Sequence, residues 1–103
     1  MATYIVLGQF TDQGIRNVKE TTQRAEAFKE AAKQLGVIAK AVYWTLGQYD
    51  LVTIVEAPDD ASVTALLLSA GALGNVRTQS LRAFSADEMG QILGKVVEKG
   101  APR

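Results

Sequence analysis

Apolar residues recur along the 103-residue chain with two different periods, and each change of period marks an element. Residues 4–10 (YIVLGQF) are β-branched and aromatic and run into the turn residues Thr11-Asp12-Gln13-Gly14, which predicts a first strand. From Ile15 the step becomes three and four. Ile15, Val18, Thr22, Ala25, Phe28, Ala32 and Leu35 form a helical stripe that Gly36 closes. Its opposite face carries Arg16, Lys19, Glu20, Glu26, Lys29, Glu30 and Lys33, the composition of a solvated surface. Residues 37–46 and 49–57 predict two further strands, with Gly47-Gln48 between them as a two-residue hairpin. Pro58-Asp59-Asp60 stops the third strand and caps a second helix, with Val63, Leu66, Leu67, Ala70 and Leu73 on its apolar side. Residues 75–84 predict a fourth strand. Ser85-Ala86-Asp87-Glu88 then reads as a capping box opening a third helix, whose apolar side is Met89, Ile92, Leu93, Val96 and Val97.

The order is β-α-β-β-α-β with a C-terminal helix. This is the ferredoxin-like α+β arrangement, a four-stranded antiparallel sheet, expected as one domain over residues 1–97 with 98–103 as a frayed tail. The two crossover helices fall on one face of such a sheet. Strands one and three are nonetheless apolar at nearly every position, the pattern of strands buried on both faces. The face away from the helices measures about 20 Å by about 20 Å from strand spacing and rise. An apolar patch of roughly 400 Å² is large enough to mark an interaction surface. The third helix can cover part of it, and a second copy of the chain can cover the rest, so the expected partner is the chain itself, as a homodimer or larger homo-oligomer.

Composition narrows the chemistry. The chain has no His and no Cys, which removes Ser-His-Asp and Cys-His catalysis, thiol nucleophiles, disulfides and Cys/His zinc sites. Only oxygen ligands remain for a metal, and the acidic pair Asp59-Asp60 sits where a helix cap is needed; neither metal nor cofactor is expected. Eleven basic residues balance eleven acidic ones, so no basic excess points to nucleic acid. No charged leader precedes an apolar run and no 18-residue uncharged stretch follows, which predicts no membrane association; with no cysteines to report a redox compartment, cytoplasmic is the default expectation.

Five polar residues are the candidates for a ligand site. Asp50 enters a strand otherwise written Leu-Val-Thr-Ile-Val, where a carboxylate is costly unless it is paired or hydrogen-bonded. It can bind a ligand amine or act as a general base; equally, it can accept backbone N–H groups at the Gly47-Gln48 turn or pair with Arg77 or Arg82. Tyr43, Trp44 and Tyr49 cluster at the same hairpin, and alternation puts Tyr43 and Trp44 on opposite faces. Polar-tipped aromatics there suit a small aromatic or amphipathic ligand, and they suit cross-strand packing as well. Arg77 and Arg82, five residues apart, also fall on opposite faces, so one at most lines any single cavity.

The segment Thr45-Leu46-Gly47-Gln48-Tyr49-Asp50-Leu51-Val52, followed by Glu56-Ala57-Pro58-Asp59-Asp60, resembles the GYD-domain family, whose Gly-Tyr-Asp motif is present as Gly47, Tyr49 and Asp50. Thr11, Gln13, Gly14, Arg24, Gly74-Asn75-Val76-Arg77-Thr78 and Arg82-Ala83-Phe84 are also similar to its pattern. The resemblance implies a dimeric α+β-barrel type of protein and brings no catalytic residue with it. A weaker likeness is to the effector-binding domains of leucine-responsive-type regulators, which bind amino acids between subunits; their DNA-binding half is absent from this sequence. Small oxygenases and isomerases also share the topology, but many depend on a cavity His. The function expected from these readings is small-molecule binding near the Tyr49-Asp50 hairpin and the subunit interface, at Tyr43, Tyr49, Asp50, Arg77 and Arg82. Two alternatives stay open: a cofactor-independent isomerase or oxygenase with Asp50 as base, and a purely structural subunit of a complex.

Overall fold

The computed structural model describes residues 1–97, and the tail expected at 98–103 lies outside them. Four strands, β1 (Ala2–Phe10), β2 (Ile38–Trp44), β3 (Leu51–Ala57) and β4 (Val76–Ala83), form one antiparallel sheet in the order β2-β3-β1-β4. Between them run α1 (Asp12–Arg16), a 3₁₀ turn (Val18–Glu20), α2 (Thr21–Gln34) and α3 (Asp60–Ala72), and α4 (Ala86–Leu93) follows β4. The ferredoxin-like α+β order read from the sequence is therefore the order of the fold.

Alternation along the two central strands builds the core. Tyr4 and Val6 of β1 and Val55 and Ala57 of β3 point to the helices, where Ala32 of α2 and Val63 and Leu66 of α3 close over them. The intervening residues, Ile5 and Leu7 paired with Ile54 and Val52, point the other way and stay half-buried, with no helix among the described residues above them. A bulge between Ala39 and Ala41 lets β2 follow the same division. Ala39, Val42 and Trp44 pair with Val55, Thr53 and Leu51 on the helix side, while Ala41 and Tyr43 pair with Ile54 and Val52 on the open side.

The first predicted helix is broken in two. The Thr11 hydroxyl accepts the Gly14 N–H at 3.0 Å and caps α1, which ends at Asn17 after little more than a turn. Gly14 is buried so tightly that a β-carbon placed there would stand 1.9 Å from the Asn75 carbonyl oxygen. The chain has to leave this contact before α2 can begin. Ile15 and Val18 consequently lie on the surface, not in the stripe that periodicity assigns them. The hairpin also differs from the two-residue turn. Residues 45–50 form a six-residue loop, closed by the Thr45 N–H donating to the Asp50 carbonyl at 2.8 Å and the Thr45 hydroxyl donating to the Tyr49 carbonyl at 2.6 Å. Gly47, at φ +104°, takes the one backbone conformation in it that a side chain would strain.

The two remaining helix starts are as the sequence reads. Asp59 caps α3, accepting the Ser62 N–H at 2.8 Å, a bond that holds its carboxyl below the usual range. Ser85 and Glu88 form the capping box of α4, and the Ser85 N–H likewise holds the Glu88 carboxyl low. Yet α4 does not cover the open sheet. Its Met89 and Leu93, with Val96 beyond, remain exposed. No helix among the described residues is long and apolar enough to cross a membrane.

Gly14→Ala is expected to cost about 1–3 kcal/mol in urea denaturation, because the Asn75 backbone cannot swing aside as a flexible side chain would. Gly90→Ala in α4, where a β-carbon meets nothing within 4 Å, should instead be neutral or stabilise by up to about 1 kcal/mol.

Candidate functional site

The regular β1–β3 ladder ends at the Gly8–Leu51 pair. Beyond it the Asp50 N–H donates to the Gly8 carbonyl at 2.8 Å, and the Phe10 N–H donates to the Asp50 carboxylate (Oδ2) at 2.8 Å. The carboxylate stands in for the carbonyl that β3 no longer supplies, so its bond reaches across to β1, not into its own turn. The Gln9 side-chain amide donates to the Gln48 carbonyl at 2.9 Å, and the Tyr49 hydroxyl donates to Gln79 Oε1 of β4 at 3.0 Å. The loop is thus folded across one end of the open sheet face.

Three of the five candidates lie on the open-face side of the sheet. Tyr43 projects from the edge strand β2 on the open face and is 59% exposed; Tyr49 reaches from the loop to Gln79 of β4; and the register sets Arg77 of β4 beside Gln9 on the same face, at the sheet edge opposite Tyr43. Asp50 holds the loop down and makes no ion pair with either arginine among the described residues. Arg82 is on the opposite face, paired with Tyr4 in register. Its guanidinium donates to the Thr3 carbonyl at 3.4 Å and to the Ala83 carbonyl, meets Glu88 at 3.5 Å, and lies 4.5 Å above the Phe84 ring. It ties the edge strand to the start of α4. Trp44 also faces the helices, its indole N–H donating to the Thr21 hydroxyl at 3.0 Å. Gln9 and Gln79, which hold the open-face cluster together, escaped the sequence reading because an isolated glutamine in a strand carries no periodic or motif signal.

A second junction lies at the same end of β1. The Thr11 hydroxyl donates to the Gly74 carbonyl at 2.6 Å and the Thr11 N–H to the Asn75 carbonyl at 3.1 Å; the Gln13 amide donates to the Leu73 carbonyl and to Asn75 Oδ1. Arg24 of α2 completes it, donating to the Asn17 carbonyl at 2.9 Å and the Gly14 carbonyl at 3.3 Å. On the helix side of the sheet, a cavity of about 200 Å³ opens between α2 and α3. Gly8, Leu51 and Thr53 form its floor, and Phe28, Leu66 and Ala70 stand in its walls. None of the five candidates lines it. Among the described residues no group of three or more acidic side chains is placed to hold a metal ion.

A four-stranded antiparallel sheet with two crossover helices on one face, and loops pinned to the end of its central strand, defines an α+β domain of the ferredoxin-like class. The chain belongs to the GYD-domain family, whose pattern it matches over residues 4–93. It is 36% identical over 90 residues to a Thermus thermophilus protein named glutamine synthetase and cystathionine beta-lyase binding protein, a match covering 86% of this chain and 95% of that one. The crystal structure of a Thermus thermophilus protein, 30% identical, superposes with a TM-score of 0.54 over 84% of this chain and 96% of its own. The feast or famine regulatory protein of M. tuberculosis, solved with L-methionine, superposes with a TM-score of 0.60 at 21% identity. That likeness is one of fold, covers 84% of this chain, and spans about half (54%) of the regulator.

Asp50→Ala is expected to speed hydrogen exchange at the Phe10 amide and to lower stability by about 1.5–3 kcal/mol, the range for a hydrogen bond to a charged group. Asp50→Asn keeps an acceptor oxygen and should lose much less. Equal exchange rates in all three proteins would remove the anchoring role.

Proposed function

We propose that the chain is a non-catalytic binding protein that pairs with a second copy through the open face of its sheet. The observation that carries this reading is the uncovered apolar face: Ile5, Leu7, Val52 and Ile54 at its centre, flanked by Leu81 at 43% exposure. That face offers about 400 Å² per copy against the roughly 800 Å² per partner of a standard interface. The exposed apolar side chains of α4 are available to supply the difference. In the paired form Tyr43, Tyr49 and Arg77 stand at one end of the interface, and this is where a small molecule is proposed to bind, with Asp50 fixing the loop that presents Tyr49. The engagement of the Asp50 carboxylate by the Phe10 N–H favours this anchoring role over service as a general base. Arg82, turned to the other face and held by Glu88, is left out of the site. The proposed setting is the cytoplasm.

A second reading concerns what the assembled protein binds. The Thermus relative is named for binding two enzymes, and an exposed apolar helix end suits a protein partner. Glutamine synthetase and cystathionine beta-lyase are therefore the first partners to offer this chain.

Sedimentation equilibrium at micromolar concentration is expected to give a mass twice the 11.0 kDa of one chain, and Leu81→Glu should return it to the single-chain mass with the circular dichroism spectrum unchanged. A wild-type monomer, or a Leu81→Glu protein that still pairs, would overturn the interface.

A further inference from the structure

The cavity beneath the helices lies on the other side of the sheet from the open face, and one group in it is unaccounted for. Thr53 sits at the centre of β3 and is only 7% exposed. It is the buried polar residue of an otherwise apolar core, and no hydrogen bond to its hydroxyl is found among the described residues. Its pairing with Val6 and Val42 turns it to the helix side, where it forms part of the cavity floor. The hydroxyl is not sealed within the packing, so a molecule in the cavity can reach it. A hydroxyl in an otherwise apolar wall gives a ligand one fixed hydrogen-bonding point.

The space is large enough to hold one. An apolar cavity of about 150 Å³ accommodates benzene, and this one is about 200 Å³. It exists because small residues meet from several elements: Gly8 in β1, Ala25 and Ala31 in α2, and Ala70 in α3. The surrounding charges define the ligand further. The cation lining the cavity is Arg24, whose guanidinium donates to the Asn17 and Gly14 carbonyls, with the Glu20 carboxylate 4.0 Å away. Glu20 offsets the charge that an anionic ligand would need. A neutral one does not need it.

We propose that this cavity is a binding site for a neutral molecule of about one ring, apolar over most of its surface and carrying one hydroxyl or carbonyl that hydrogen-bonds to Thr53. The site lies within a single copy of the chain, on the opposite side of the sheet from the pairing face, so its occupancy does not depend on the interface proposed above.

Phenol, toluene and benzoate titrated into the ¹³C-methyl-labelled full chain test the proposal. Phenol is expected to give saturable shifts at the methyls of Val6, Val42, Leu51 and Thr53, with benzoate binding at least tenfold more weakly. Thr53→Val should weaken phenol about tenfold and leave toluene unchanged. Gly8→Ala adds a methyl to the floor at an ordinary 3.5 Å contact with Leu51, so it should fold normally and weaken both neutral probes. Shifts that do not saturate, that appear at Ile5, Ile54 and Leu81 on the other face, or that are indifferent to both substitutions would overturn it. So would occupation of the cavity by a side chain of a second copy, seen as intermolecular contacts to Val42 and Leu51.

Discussion

The two central strands carry apolar side chains on both faces, and a β-α-β-β-α-β chain places both of its crossover helices on the same side. Everything else in the molecule adjusts to that mismatch. On the covered side Tyr4, Val6, Val55 and Ala57 are removed from water by α2 and α3. On the other side Ile5, Leu7, Val52 and Ile54 alternate with them at the same density and, among the described residues, have one another and the folded-over hairpin loop for cover. The fold is satisfied in one direction and left unfinished in the other, which is the physical content of the pairing we propose.

The second organising feature is the C-terminal end of β1. Residues 8–14 receive one loop through Asp50 and the other through Thr11 and Gly14, and Arg24 locks α2 onto the same segment. A central strand is the natural place for this, because it borders both β3 and β4 and therefore both loops. The residues that identify the family thus fall largely into two clamps around one strand end. Their first role is structural: they fix the loops that border the open face and the polar rim of the cavity.

Much of this was legible in the sequence. Two-sided apolar strands, the caps at Asp59 and Ser85 and the opposite orientations of Tyr43 and Trp44 all follow from local patterns, since each depends on residues within a few positions of one another. The rest depends on distance along the chain. Asp50 finds its acceptor role 40 residues away and Tyr49 its partner 30 residues away, so a loop that reads locally as a tight turn opens to six residues. The break in the first helix has the same origin, a contact between Gly14 and Asn75 that no period of three or four anticipates. The cavity was least legible of all, because it is made by what Gly8, Ala31 and Ala70 lack, spread over three elements.

The Thermus relative is named for binding two enzymes, and the unfinished sheet face gives the binding we propose for this chain a physical basis. The most direct test is an isotope-filtered nuclear Overhauser spectrum of labelled and unlabelled chains mixed in equal amounts. Intermolecular contacts are expected at the methyl groups of Ile5, Leu7, Ile54 and Leu81. A spectrum with no intermolecular contacts, or with contacts confined to the outer faces of α2 and α3, would contradict the pairing.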